Sequence, residues 1–188
     1  MNMQTEIERN NPTQEYYDEL DGGLVIGFDY DNTCVIDEWP ESGETVEGAP
    51  EVLNNLLRHG HHLIMFTQRT NHYPECCPEL SVFAVEHGYH PDGSGTINLF
   101  RQAAQWAIDN LDPKYDLFDV NKNSLWETTT GDYGRKVYMD YMIDDHNVGM
   151  KLNTVRNRRG EICKVVDWKY VDQWFVEQGV YPERVLKD

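Results

Sequence analysis

Leu24-Val25-Ile26-Gly27-Phe28-Asp29-Tyr30-Asp31-Asn32-Thr33 is the stretch that decides the fold. Its first five residues are apolar without a break, and they run straight into two acids two positions apart. A strand with one wet face alternates apolar and polar residues. A short continuous apolar run predicts instead a strand covered on both faces, as in a parallel sheet. The acids then stand just past the carboxyl end of that strand, where open α/β sheets bind their ligands.

Outward from this strand the same grammar repeats. Pro50 to Arg58 (PEVLNNLLR) puts Val52, Leu53, Leu56 and Leu57 on one helical face, with Pro50 suited to the first turn and Gly60 to a left-handed cap. His62-Leu63-Ile64-Met65-Phe66 predicts a second strand, ending at Thr67. Helices are expected near 77–88 and over 96–110, a third strand over Tyr115–Val120, and a fourth from Val137 to Ile143 that ends at Asp144-Asp145. Val165 to Asp167 reads as a short fifth strand before a helix near 169–178, while 34–47 and 121–135 read as loops. Strands alternating with helices predict an α/β fold with a parallel sheet flanked by helices. Four of the strands deliver polar residues to one rim: Asp29 and Asp31, Thr67, Asn121 and Lys122, and Asp144 with Asp145.

The 188 residues suffice for one domain, here 22–188, preceded by a polar and acidic stretch over 1–21 that reads as a flexible extension. Sixteen Lys and Arg against 33 Asp and Glu leave a net charge of −17, a field that repels nucleic acid and anionic membranes. The first residues contain no apolar core of a secretory signal, and no apolar run is long enough to span a bilayer. Cys34, Cys76, Cys77 and Cys163 form no C-x-x-C pair and read as reduced thiols, so a cytoplasmic location is expected.

The chemistry of the rim begins with Asp29 and Asp31. Two carboxylates at i and i+2 can share a cation and still do different work. One attacks phosphorus, with a divalent metal offsetting the repulsion between anions, while the other handles the leaving-group proton and then the water. An acidic turn after a strand is the plain alternative. Asp144 and Asp145 would complete an oxygen-rich set suited to Mg²⁺, or else are a solvent-facing turn. The Thr67 hydroxyl fits a phosphate oxygen or a helix N-cap. Arg69 and His146 follow rim residues, either as substrate contacts or as ordinary surface residues. His59, His61 and His62 cluster in sequence but fall at a helix end and a strand start, away from the rim, which argues against a zinc site.

Taken together, D-x-D-x-T after a strand, Thr67 after the next and paired acids after a later one resemble the haloacid dehalogenase superfamily of phosphohydrolases. The resemblance covers roughly residues 24–150. It implies a Rossmann-like fold, Mg²⁺, Asp29 as nucleophile, Asp31 as acid/base, Thr67 on the phosphoryl group, and Asp29, Asp31, Asp144 and Asp145 around the metal. Asn32 departs from the Gly found there in many members; Asn tolerates the same unusual backbone angles. The superfamily's lysine has two candidates. If 137–143 is one extended strand, Lys136 lies roughly 20 Å from the rim, so Lys122 is expected to serve the phosphate, with a solvated loop lysine as the alternative.

Only 38 residues separate Asp29 from Thr67, and two helices with a strand fill most of 67–122, which leaves room for a minimal cap at most. An open site suits a phosphorylated small molecule, a phosphorylated macromolecule, or a substrate enclosed by a neighbouring copy in a homo-oligomer. The function expected is a Mg²⁺-dependent phosphomonoesterase. A polynucleotide-end phosphatase, disfavoured by charge, and a non-catalytic binding protein are the alternatives.

Overall fold

The computed structural model describes residues 21–69, 99–115, 118–121, 123, 127 and 137–187. Val25–Phe28 forms strand β1, buried along its whole length, in a four-stranded parallel sheet. Strand β4 (His62–Met65) lies on one side of it and β6 (Tyr141–Ile143) on the other, with β5 (Phe118–Val120) beyond β4. Gly27 stands opposite Ile64 in β4 and Met142 in β6, and Ile64 opposite Asp119 in β5. Continuous burial of β1 is what its unbroken apolar run requires. The chain is an α/β protein.

Alternation along β1 and β4 sends Ile26, Phe28, Leu63 and Met65 to one face of the sheet. They join a core cluster that includes Val52, Leu53, Leu56 and Leu57 of helix α1 (Ala49–Arg58). Helix α2 (Leu99–Asn110) adds Ala103, Trp106 and Ala107, and helix α3 (Trp168–Glu177) adds Trp168, Val171 and Phe175. Pro50 opens α1 as expected, and Gly60 just beyond it takes a left-handed φ of 81°. Helix α3 is capped by Asp167, whose side chain accepts the Tyr170 N–H. Inside α3, the fully buried Asp172 accepts hydrogen bonds from Tyr181 Oη at 2.6 Å and from the Val185 and Leu186 amides at 3.0 and 2.8 Å.

The opposite face, with Val25 and Ile64, is covered by Val137, Tyr138 and Met139. This corrects the expected fourth strand. Only Tyr141–Ile143 pairs with β1; Val137–Met139 cross over the sheet instead of running within it. Asp140 makes the turn between the two. Its amide donates to Val25 O at 2.7 Å, and its carboxylate accepts the Val25 N–H at 2.8 Å. Periodicity cannot distinguish an apolar run inside a sheet from one lying on it. Of the expected third strand, Phe118–Val120 is β5, and Tyr115 lies outside it.

Two antiparallel hairpins complete the described fold. The expected loop at 34–47 is β2 (Val35–Glu38) and β3 (Glu41–Thr45), turning at Trp39-Pro40. The short strand expected at 165–167 is the end of β8 (Ile162–Val166), paired with β7 (Leu152–Arg156) around a turn that holds Gly160 at a φ of 82°. The two hairpins are riveted together. Arg158 pairs with the buried Glu38 at 2.6 Å and donates to Ser42 O at 2.9 Å, while Arg159 donates to Glu38 O and Trp39 O at 3.1 and 3.2 Å. Asn157 Nδ2 donates to Asp37 O at 3.3 Å.

The three histidines do not converge on a metal. His62 Nε2 meets Asp119 Oδ2 at 3.1 Å, His59 Nδ1 lies 2.9 Å from Asn55 O, and His61 bridges Leu24 and Val180. Among the described residues no helix is long and apolar enough to cross a membrane. The stretches 1–20 and 77–88, and Cys76 and Cys77, lie outside the described residues.

His61 carries a prediction. Its Nδ1 accepts the Leu24 N–H at 3.1 Å, so Nε2 holds the hydrogen and donates to Val180 O at 3.1 Å. Burial is the main cause that pushes its pKa below the ordinary 6.5. The unfolded chain therefore takes up a proton that the folded protein resists, and stability falls as pH drops below about 6.5. The slope from this one group is at most about 1.4 kcal/mol per pH unit. Urea midpoints between pH 7 and 5 should show the fall, and His61→Gln should flatten it; the difference between the two proteins isolates the His61 share.

Candidate functional site

Strand pairing sets the site. The Asp29 amide donates to Ile143 O at 2.9 Å, which places the first acid of β1 directly beside the strand that leads into Asp144. The chain then turns: Tyr30 O accepts the Cys34 and Val35 amides at 2.8 and 3.1 Å, and Asn32 takes a φ of 55°. That left-handed backbone is the reason for Asn or Gly at this position. The turn is pinned from behind by Trp168 Nε1 donating to Thr33 O at 2.7 Å and the Val166 amide donating to Asn32 O at 2.9 Å.

Past β6, Asp144 caps its own turn by accepting the His146 amide at 2.8 Å. Asp144, Asp145 and His146 offer ligand atoms within 4.8 Å of one another. His146 Nδ1 lies 3.0 Å from Asp145 Oδ1, and that carboxylate holds the exposed imidazole's pKa above its usual value. Burial raises Asp145, with the His146 charge opposing it. Asp29 responds most: burial first, then the charges of Asp144, Asp31 and Asp145, push its carboxyl up to about 7 against a hydrogen bond from the Tyr30 backbone. Asp29, Asp144 and Asp145 are thus one electrostatic unit of the kind that a divalent cation with oxygen ligands balances.

Asp31 also has a partner of its own. Arg69 Nη2 donates to its Oδ1 at 2.6 Å and Arg69 Nε to its Oδ2 at 2.9 Å, a two-pronged fork. Arg69 is 4% exposed, which overturns its reading as a surface residue. Its guanidinium also donates to Glu41 O at 2.9 Å and to Pro40 O and Gln102 Oε1 at 3.3 Å each, and stands 5.0 Å from the Tyr30 ring centre.

Thr67 is buried at the end of β4 and is held by its own peptide. Its amide donates to Asn121 Oδ1 at 2.8 Å, and Asn121 Nδ2 donates back to Thr67 O at 3.1 Å. Thr67 Oγ1 accepts the Arg69 amide at 3.1 Å, so its hydrogen is left for an oxygen acceptor. Asn121 makes this clamp from a φ of 53°.

Of the residues expected on the rim, the structure gathers Asp29, Asp144 and Asp145, couples Asp31 to them through charge while tying it to Arg69, and sets Thr67 against Asn121. Lys122 and Lys136 both lie outside the described residues. Strand β6 begins only at Tyr141, so no unbroken strand separates Lys136 from the rim. The structural role of Arg69 had no signal in the chain beyond its place two residues after Thr67. Asn121 was legible only as a polar residue ending a strand.

No family model and no curated protein matches the chain. Among solved structures, a conserved protein from Bacteroides thetaiotaomicron is similar to it, with a TM-score of 0.51 and 22% identity over 83% of this chain and 92% of that one. At that identity the likeness speaks for the fold alone.

Proposed function

We propose that the chain is a Mg²⁺-dependent phosphatase of the haloacid dehalogenase type, with a Rossmann-like core, that hydrolyses phosphomonoesters through an aspartyl phosphate on Asp29. The observation that carries this reading is the Asp29 carboxyl, pushed up to about 7 by burial and by three neighbouring acids at the carboxyl ends of two adjacent parallel strands. Structural acids are normally dispersed or paired with cations, and a carboxyl held at such cost marks a functional site.

In this reading Asp29, Asp144 and Asp145 would hold the cation, which would offset the repulsion between carboxylate and phosphate. An Asp29 oxygen forms a bond to phosphorus as the bond to the leaving oxygen breaks, and the leaving oxygen takes a proton from Asp31. Water then loses a proton to Asp31 and attacks the same phosphorus, releasing inorganic phosphate and freeing Asp29. The Thr67 hydroxyl donates to a phosphoryl oxygen, and Lys122 supplies positive charge to it. The hairpin tip stands near Asp31 through Arg69, which bonds to both, and His146 stands beside Asp145.

A panel of nucleotide, sugar and amino-acid phosphates, with an oligonucleotide 5′-phosphate included, tests the proposal. Release of inorganic phosphate is expected with Mg²⁺ and is expected to vanish in excess EDTA. The compact esters should exceed the oligonucleotide in kcat/KM at low salt, because a net charge of −17 opposes a polyanion along its whole length. Turnover that survives EDTA would sink the mechanism, and a tenfold preference for the oligonucleotide would overturn the substrate class.

A further inference from the structure

The β2–β3 hairpin is joined to the site through one side chain. Arg69 forks the Asp31 carboxylate with bonds of 2.6 and 2.9 Å and, with the same guanidinium, holds the hairpin tip through Glu41 O at 2.9 Å and Pro40 O at 3.3 Å. Gln102 of α2 braces the assembly, with its Nε2 donating to Pro40 O at 3.2 Å and its Oε1 accepting from Arg69 and from Ser42 Oγ. Tyr30 closes it: its hydroxyl donates to Ser42 Oγ at 2.8 Å and its ring lies under the guanidinium. A buried guanidinium that only balanced charge would need one carboxylate. This one divides its donors between the carboxylate named above for proton transfer and the backbone of the hairpin tip.

We propose that Arg69 is a positioning residue, which fixes the Asp31 carboxylate and the hairpin tip in a single frame, so that the proton-transfer group and the tip keep one register. The proposal rests on the phosphatase reading for its catalytic half; its structural half stands on the geometry alone. The planar fork is essential to it, since a lysine ammonium cannot grip two carboxylate oxygens through parallel N–H bonds and reach two carbonyls at the same time.

The test uses the full chain as wild type, Arg69→Ala and Arg69→Lys. In both variants kcat is expected to fall at least tenfold, while Mg²⁺ affinity, read by calorimetric titration, stays within threefold of wild type. Free guanidinium at tens of millimolar should restore part of the Arg69→Ala rate and none of the Arg69→Lys rate. Independently of any activity, amide hydrogen exchange over residues 35–45 should speed up at least tenfold in both variants, with exchange in β4 and α1 unchanged. Loss of protection throughout the chain in Arg69→Lys, the milder change, would show a general folding role and overturn the proposal, as would a hairpin that exchanges at the wild-type rate. A wild-type protein with no Mg²⁺-dependent turnover removes the phosphatase reading, and the exchange result then decides the structural half. Turnover in wild type with kcat unchanged in both variants removes the positioning role alone.

Discussion

Replacing Asp29 with Asn is expected to abolish turnover and, in metal-free buffer at pH 8, to raise the melting temperature. The two effects have one cause. The amide cannot form the acyl phosphate, so kcat should drop by at least about 10⁴-fold. The carboxyl is costly to the fold: its pKa is raised from 3.8 to about 7, first by burial and then by Asp144, Asp31 and Asp145. A folded-state pKa above the unfolded one means that the unfolded chain ionises more readily. The penalty is therefore absent below about pH 4 and complete above about pH 7. Asn removes it, for a gain of at most about 4 kcal/mol at pH 8, or roughly 8–16 °C in a chain of this size. At pH 4 the two proteins should melt together. Calorimetry at both pH values, with EDTA present, checks this. A variant that loses activity and also loses stability at pH 8 would mean that Asp29 serves the fold.

Asp172→Ala is expected to be the most destabilising single change in α3. The substitution leaves the buried Tyr181 hydroxyl and the half-buried Val185 and Leu186 amides without their acceptor. Unpaired buried donors cost about 1–3 kcal/mol each, so a total of about 3–5 kcal/mol is expected. The urea midpoint should fall with little change in slope if unfolding stays cooperative. Because Trp168, at the start of the same helix, holds Thr33 O, a milder Asp172→Asn should show its damage at the turn after β1 as well as at the C-terminal segment. A midpoint shift under about 1 kcal/mol in the Ala variant would contradict the accounting.

The readable parts of this chain were those where one physical demand acts alone. Leu24 to Phe28 must be a strand buried on both faces because nothing in it tolerates water, and Pro50 to Gly60 carries its helical face and both end signals. Asp29, Asp144 and Asp145 were legible as rim residues because each directly follows such a strand. Val137 to Met139 misled because covering a sheet and extending it require the same apolar residues. The β7–β8 hairpin was half-missed because its outer positions, Asn153, Thr154 and Lys164, blur the alternation, although Asn157 and Gly160 mark its turn. Arg69 was unreadable for a different reason. Its meaning lies in Asp31, 38 positions earlier, and in two backbone carbonyls, and carbonyls leave no trace in a sequence.

From Asp37 to Ser42, six consecutive carbonyls each accept a side-chain hydrogen bond: from Asn157, Arg159, Arg159 again, Arg69, Arg69 again and Arg158 in order. Every amino acid carries a carbonyl, so the grip ignores which residue occupies a given place in the tip. Exchanging the exposed Glu41 is therefore expected to leave the loop in place, whereas changes at Arg69, Arg158 or Arg159 should release it. The hairpin is held in place by its backbone more than by the side chains of its tip.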